Sequence, residues 1–336
     1  MTTESTGGRR TIVDVHTHIA TEKLPLAAKV MEQVGLTAMV NLSGGFGEEL
    51  KRSLAGAAKY PGRFVTFCRV DFTGIDDPDF GRKQAEELRR SAQAGARGLK
   101  VSKGLGLRAR FAGTRFKDGR LVSVDDARLD PVWEAAGELG LPTLIHTADP
   151  PDFWLPVDEN NPSYRTLKAR PNWSYHGTDI PPHQELLYQR DRVVERHRRT
   201  IFIYAHMGDA LEDLEYLACQ LKENPHLYLD TSARCSRMGK EDPARMRDFF
   251  VTYQDRILFG TDVGANLGTE EDIPSLVDFY NRHWSFFGTA EKDLPVPFSG
   301  TARTAGIDLP IEVLEKLYWE NARRLLELGS SGGGGS

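Results

Sequence analysis

Thr11-Ile12-Val13-Asp14-Val15-His16-Thr17-His18 stands near the start of the 336-residue chain, and its reading decides the fold. Its β-branched apolar residues favour a strand, and strand side chains alternate between two faces. Asp14, His16 and His18 therefore share one face, and Val13 and Val15 share the other. Two imidazoles one pleat apart at a strand's end can converge on one ion, and neutral imidazole is a good ligand for zinc and similar metals. The competing reading is two histidines on a half-exposed strand end.

Outward from this stretch, short apolar runs alternate with longer helical patterns, the mark of βα units and a parallel sheet. The runs that read as strands are Thr11–Val15, Ala38–Leu42, Phe64–Val70, Gly98–Val101, Thr143–His146, Ile201–His206, Leu227–Asp230 and Ile257–Gly260. The clearest helical patterns are Glu48–Lys59, Lys83–Ala94, Pro131–Leu139, Gln184–His197, Asp213–Glu223, Pro243–Gln254 and Ile311–Leu328. Pro131 and Pro243 suit the first helical position, with Asp130 and Asp242 as caps. This count fits a single closed (β/α)₈ TIM barrel over residues 11–328 better than an open sheet. An open dinucleotide-binding sheet would carry a glycine-rich turn after its first strand, where this chain has His-Thr-His. Three long connections, Ser102 to Arg128, Thr147 to Pro181 and Val263 to Pro310, follow strands. They belong to the C-terminal face, where barrel enzymes build their sites.

The other strand ends strengthen the metal reading. The fifth run ends in His146, the sixth in His206, and the eighth leads into Asp262. Each is a ligand or acid/base type at the C-terminal end of its own strand, the convergence a metal site at the barrel mouth requires.

Composition sets the outer bounds. Hydrophobic residues make up 40% and charged residues 27%, and the net charge of -5 gives no reason to expect nucleic acid or an anionic membrane as partner. No apolar run approaches the roughly 20 residues that span a bilayer. Residues 1–10 are polar, without the apolar core of a signal peptide, and read as a disordered or extended segment. A cytoplasmic setting is expected. Cys68, Cys219 and Cys235 are odd in number and scattered, which argues against a disulfide framework or a thiolate zinc site. Residues 329–336 (GSSGGGGS) read as an engineered flexible linker.

The chain resembles the amidohydrolase superfamily. The resemblance rests on DxHxH in the first strand, His146 and His206 on the fifth and sixth, and Asp262 on the eighth. Ala205-His206-Met207-Gly208, Tyr228-Leu229-Asp230-Thr231-Ser232, Ile257-Leu-Phe-Gly-Thr-Asp262 and Asn321-Ala322-Arg323-Arg324-Leu325 narrow it to the amidohydrolase 2 branch, which holds decarboxylases and lactonases. The resemblance implies His16, His18, His146 and Asp262 as ligands of one metal. It implies His206 as acid/base or substrate contact, and Asp262 as acceptor of the attacking water's proton. In two-metal members a lysine on the fourth strand is carboxylated and bridges the ions. Lys100 would take that place, with His146 and His206 on the second metal. The alternative is that Lys100 pairs with a carboxylate or contacts an anionic substrate. A homo-oligomer is likewise implied only by resemblance.

The expected activity is metal-dependent hydrolysis of a small-molecule amide, lactone or ester, with Asp262 and His206 catalytic. Non-oxidative decarboxylation of a small aromatic or unsaturated carboxylic acid is the alternative, and an inert binding barrel the reading outside enzymes. The cofactor is expected to be one or two divalent ions, Zn²⁺ foremost, with Mn²⁺, Fe²⁺ or Co²⁺ compatible with such ligands. Arginines and aromatics of the long loops suit a carboxylated or ring-bearing substrate. Trp173 and His176 are the foremost candidates, followed by Lys103 and Arg234, then Arg108, Arg110, Trp154, Arg165 and Tyr175. Asp14 is expected inside the barrel as support for the metal ligands. His283 falls in the last long connection, where nothing assigns it a role.

Overall fold

The computed structural model describes residues 11–107, 113–264, 267–297 and 302–329. Residues 1–10, Arg108, Arg110 and the tail beyond Gly329 lie outside the described residues. Ten strands are seen among the described residues: β1 Val13–Thr17, β2 Ala38–Asn41, β3 Phe64–Thr66, β4 Leu99–Val101, β5 Thr143–Ile145, β6 Phe202–Tyr204, β7 Leu227–Asp230, β8 Ile257–Leu258, β9 Leu294–Pro295 and β10 Arg303–Thr304. The first eight fall on the eight apolar runs of the sequence: β7 has the expected bounds, β1 starts and ends two residues later, and the other six are shorter. Their residues are buried on both faces apart from Tyr228, as expected of parallel strands covered by helices.

The chain forms two units. The first comprises the described parts of Met1–Ser43, Arg52–Thr66 and Thr231–Ser336. Here β1, β2 and β3 pair in parallel, with Val13 opposite Ala38 and Met39 opposite Phe64. β8 and the residues after it run beside β1: Val15 N–H donates to the Phe259 carbonyl (2.9 Å), Asp262 N–H to His16 (2.8 Å) and His18 N–H to Val263 (2.7 Å). The register of β1 slips between Asp14 and Thr17, so the histidine segment is not a regular strand throughout. β9 and β10 form a small antiparallel pair.

The second unit comprises Gly44–Lys51 and Phe67–Asp230. In it β4, β5, β6 and β7 pair in parallel and in register, Lys100 opposite Leu144, Leu144 opposite Ile203, and Ile203 opposite Tyr228. Trp133, fully buried on the helix Asp130–Glu138, packs edge-on against Phe202.

Several helices follow the sequence reading and others correct it. Asp242 caps Pro243–Thr252 by accepting the Arg245 N–H, as its pairing with Pro243 predicts. Asp130 does not cap; a 3₁₀ turn, Ala127–Leu129, precedes it, and Asp126 caps that turn. Leu24–Val34 is an additional helix, stopped by Gly35 in the left-handed region at φ 78°. The connection from Val263 to Pro310 is not a loop throughout, because it carries the helix Ile273–Gly288. That segment, IPSLVDFYNRHWSFFG, is rich in aromatic and polar residues of modest helix propensity, which hides its periodicity. A 3₁₀ turn, Glu270–Asp272, leads into it and is closed by a capping box between Thr269 and Asp272.

The pattern Ile311–Leu328 also changes character. It is α-helical over Ile311–Glu315, a π-turn over Lys316–Glu320, and α-helical again over Asn321–Leu326. A π-turn displaces carbonyls from the regular ladder. The Leu317 carbonyl accepts the Phe259 N–H (3.0 Å), and buried Asn321 donates from Nδ2 to Gln254 (2.7 Å) and Ile257 (2.9 Å) carbonyls. The final helix thereby fixes the course of β8 toward Asp262.

His283, on the helix Ile273–Gly288, is buried among Phe259, Phe279 and Tyr280. Its Nδ1 is 2.8 Å from the Phe279 carbonyl and Nε2 has no hydrogen-bond partner. Burial pushes its pKa down from 6.5 to about 4. The unfolded chain therefore binds more protons there between those values, so stability is full above about pH 6.5 and falls as pH drops toward 4. We predict that His283→Asn flattens this acid dependence by up to about 1.4 kcal/mol per pH unit. Urea denaturation across pH 4.5 to 6.5 measures it, and an unchanged slope would remove His283 from the account.

Candidate metal centre

In the first unit the geometry begins at the end of β1. His16 is fully buried, while His18 and Asp262 have side chains about one-third exposed. His16 Nε2 and His18 Nε2 each lie 3.5 Å from Asp262 Oδ1, and the two rings meet edge to face at 5.3 Å. One ligand atom from each of the three residues falls within 4.8 Å of the others. Donors each about 2.1 Å from a tetrahedral ion stand about 3.4 Å apart. A spacing of 3.5 Å is at the outer limit of a hydrogen bond and close to that edge length.

The opposite ring nitrogens support this reading. His16 Nδ1 is 2.9 Å from Ser232 Oγ, and His18 Nδ1 is 3.1 Å from Ser43 Oγ. With Nδ1–H donating to a hydroxyl, each Nε2 directs its lone pair toward Asp262. Metal-binding histidines commonly anchor their second nitrogen in this way. Ser43 is itself held by Asn41, whose Oδ1 accepts the N–H groups of Ser43 and Ile19 (3.0 Å each). No local pattern in the sequence distinguishes Ser43 or Ser232 as a support for histidine, because the pairing spans 25 residues in one case and 216 in the other.

Backbone strain and close approach mark the same place. Asp262 has φ 66°, in the left-handed region that non-glycine residues avoid. A Cβ on Gly260 would stand 2.9 Å from His16 Cβ, and one on Gly264 would stand 2.3 Å from the His18 carbonyl oxygen. The two glycines flanking Asp262 thus let its segment lie against both histidines. Below them, Asp14 is fully buried, and burial pushes its pKa up to about 7 against the opposing hydrogen bonds from Thr261, His16 and Tyr280. Asp14 Oδ1 accepts the N–H groups of His16 and Thr261 (3.1 Å each). The donor set, two imidazoles and a carboxylate, suits a divalent transition ion.

The second unit holds the other expected residues. Lys100 is buried on β4. His146 follows β5 and His206 follows β6, and their rings are 4.3 Å apart. His146 Nε2 lies 2.8 Å from the Ala148 carbonyl and 3.7 Å from Oδ2 of buried Asp209. His206, Met207, Gly208 and Asp209 all have positive φ, between 52° and 67°. His206 therefore stands on a left-handed turn beyond the strand and does not continue it. Three contacts hold that turn. Asp230 Oδ1 accepts the His206 N–H (2.9 Å), Arg190 donates to the Gly208 carbonyl (2.6 Å), and His183 Nε2 lies 3.0 Å from the Asp209 carbonyl.

The loop candidates have packing partners. Lys103 is paired with both oxygens of Asp149 (2.6 Å each), which also accepts the Tyr175 hydroxyl (2.7 Å). Trp173 stacks on Phe153 and lies under Arg170, while exposed His176 has Nδ1 3.2 Å from the Trp154 carbonyl. Trp154 donates to the Pro181 carbonyl. Arg234 is buried and donates to the Ala233 carbonyl (3.3 Å).

The His16 and His18 pair predicts the outcome of its removal. His16→Ala combined with His18→Ala should abolish divalent-metal binding, read as metal content per chain. Full occupancy in that variant would contradict the site.

No curated protein matches the sequence. Three solved structures are similar in fold. One is a dihydroxybenzoic acid decarboxylase from Polaromonas sp. JS666 with bound manganese and the inhibitor 2-nitroresorcinol; it is 17% identical, with a TM-score of 0.56 over 96% of this chain and 97% of that one. Another is a TIM-barrel protein from Bordetella bronchiseptica, 16% identical, with a TM-score of 0.55 over 95% and 99%. The third is an amidohydrolase from Burkholderia multivorans with bound zinc, 13% identical, with a TM-score of 0.52 over 95% and 100%. These similarities give the chain the (β/α)₈ TIM-barrel fold. The amidohydrolase family profile matches residues 13–328, nearly the whole sequence, and the chain belongs to that family of metal-dependent enzymes.

Proposed function

We propose that the protein is a metal-dependent hydrolase of a small-molecule amide, lactone or ester. The observation that carries the reading is the convergence of His16, His18 and Asp262. These residues would hold a divalent ion, with zinc our first assignment. When bound, such an ion lowers the pKa of a coordinated water toward about 7 and polarises a carbonyl.

The chain's own residues then divide the proton work. Asp262 is partly exposed, so its carboxylate can accept the proton of an attacking water and return it to a leaving group. In a TIM barrel the residues after the strands form the active face. His146 and His206 follow β5 and β6. We assign His206 to polarising or protonating the substrate, and His146 to the ligand set. Lys100 would join as a carbamate only if a second ion binds. No helix among the described residues is long and apolar enough to cross a membrane, and the cysteines form no disulfide.

Decarboxylation is the second reading. The observation favouring it is the paired rings of His146 and His206 beside the buried Asp209 carboxylate, an arrangement able to deliver a proton to carbon. The dihydroxybenzoic acid decarboxylase neighbour suggests hydroxylated aromatic acids as substrates to try.

Two outcomes test the proposal. Asp262→Asn should preserve the fold and lower kcat by about 10²-fold or more, the usual worth of a positioned acid/base group; an unimpaired rate would remove Asp262 from the mechanism. Assays of lactones, esters and amides against hydroxybenzoic acids should show released carboxylic acid. Released CO₂ without hydrolysis would overturn the hydrolase reading in favour of decarboxylation.

A further inference from the structure

In the first unit one buried carboxylate joins the two segments that carry His16 and Asp262. The Asp14 carboxylate ties both ligand-bearing segments by their backbones. Its Oδ1 accepts the His16 N–H (3.1 Å) and the Thr261 N–H (3.1 Å), the latter from the residue immediately before Asp262. Its Oδ2 accepts the Thr261 hydroxyl (2.5 Å) and the Tyr280 hydroxyl (2.8 Å). Asp14, Thr261 and Tyr280 are each fully buried.

Tyr280 lies on the helix Ile273–Gly288, packed against Phe279 and Trp284. Its ring is fixed by this packing, so its hydroxyl is delivered to a set place. A carboxylate can rotate about its Cβ–Cγ bond, and a rotation would loosen the two N–H bonds together. The Thr261 and Tyr280 hydroxyls, both on Oδ2, oppose that rotation. We propose that Tyr280 and Thr261 are positioning residues that set the metal affinity of the His16, His18 and Asp262 centre. They do so by locking Asp14 across the two segments. The inference rests on the metal-centre reading above. It adds that a helix far in sequence from His16 and His18 tunes the site without touching the ion.

The test is Zn²⁺ titration of the metal-stripped full chain against a chromophoric chelator, with thermal unfolding of each metal-free variant alongside. Tyr280→Phe keeps the ring and removes the hydroxyl. Thr261→Val removes the other donor at constant shape, and Thr261→Ser restores it. The expected result is a rise in Kd of about 10-fold or more for Tyr280→Phe and Thr261→Val, the usual cost of losing a support to a metal ligand, with Thr261→Ser close to wild type. A merely structural role would lower the unfolding midpoint and leave Kd within about twofold of wild type, and that result overturns the proposal. If Tyr280→Phe does not fold, the contrast between Thr261→Val and Thr261→Ser decides alone. Absence of Zn²⁺ binding in the wild type would overturn the metal-centre reading itself, and the inference with it.

Discussion

The pairing of β1 with the segment that follows β8 is the constraint on which the candidate centre depends. Three backbone hydrogen bonds bring His16 and His18 against Asp262, and the Asp14 carboxylate crosses between the same two segments. Imidazole and carboxylate donors can share an ion only if their separations are set within a few tenths of an ångström of the coordination edge. Backbone pairing supplies that tolerance better than side-chain contact alone, because each bond fixes the direction as well as the distance of its neighbours.

Stored strain follows from the same constraint. Asp262 is held in the left-handed region, and so are His206, Met207 and Asp209 after β6 and Ala233 after β7. Each lies where the chain leaves a strand's C-terminal end. Such conformations cost roughly 1–3 kcal/mol apiece and persist only where the surroundings impose them. Here the surroundings are specific: Asp230, Arg190 and His183 grip the turn from His206 to Asp209, while Gly260 and Gly264 clear space beside Asp262. The π-turn in the final helix belongs to the same set, because its displaced Leu317 carbonyl holds Phe259.

Much of this was legible in the sequence, for a physical reason. Buried parallel strands are short apolar runs between turn-forming residues, so all eight could be placed, and metal-ligand types at their ends stood out. What was not legible required long-range contact. Ser43 and Ser232 look like any serine until the histidines they support are in place. In sequence the helix Ile273–Gly288 reads as part of a connection because aromatic side chains obscure its period, which also hides the place of Tyr280. His206 reads as a strand end, whereas a left-handed turn carries it. Loop residues were the least readable. Lys103 reads as a substrate contact in sequence, whereas its ammonium pairs with Asp149, which also accepts the Tyr175 hydroxyl.

His16, His18 and Asp262 form a donor set suited to a divalent ion. The direct measurement is divalent-metal content per chain by elemental mass spectrometry, on protein purified without chelator and with bicarbonate present. At least one equivalent of a transition ion per chain is expected. Content near zero that persists after zinc, manganese, iron and cobalt are each added back would contradict it.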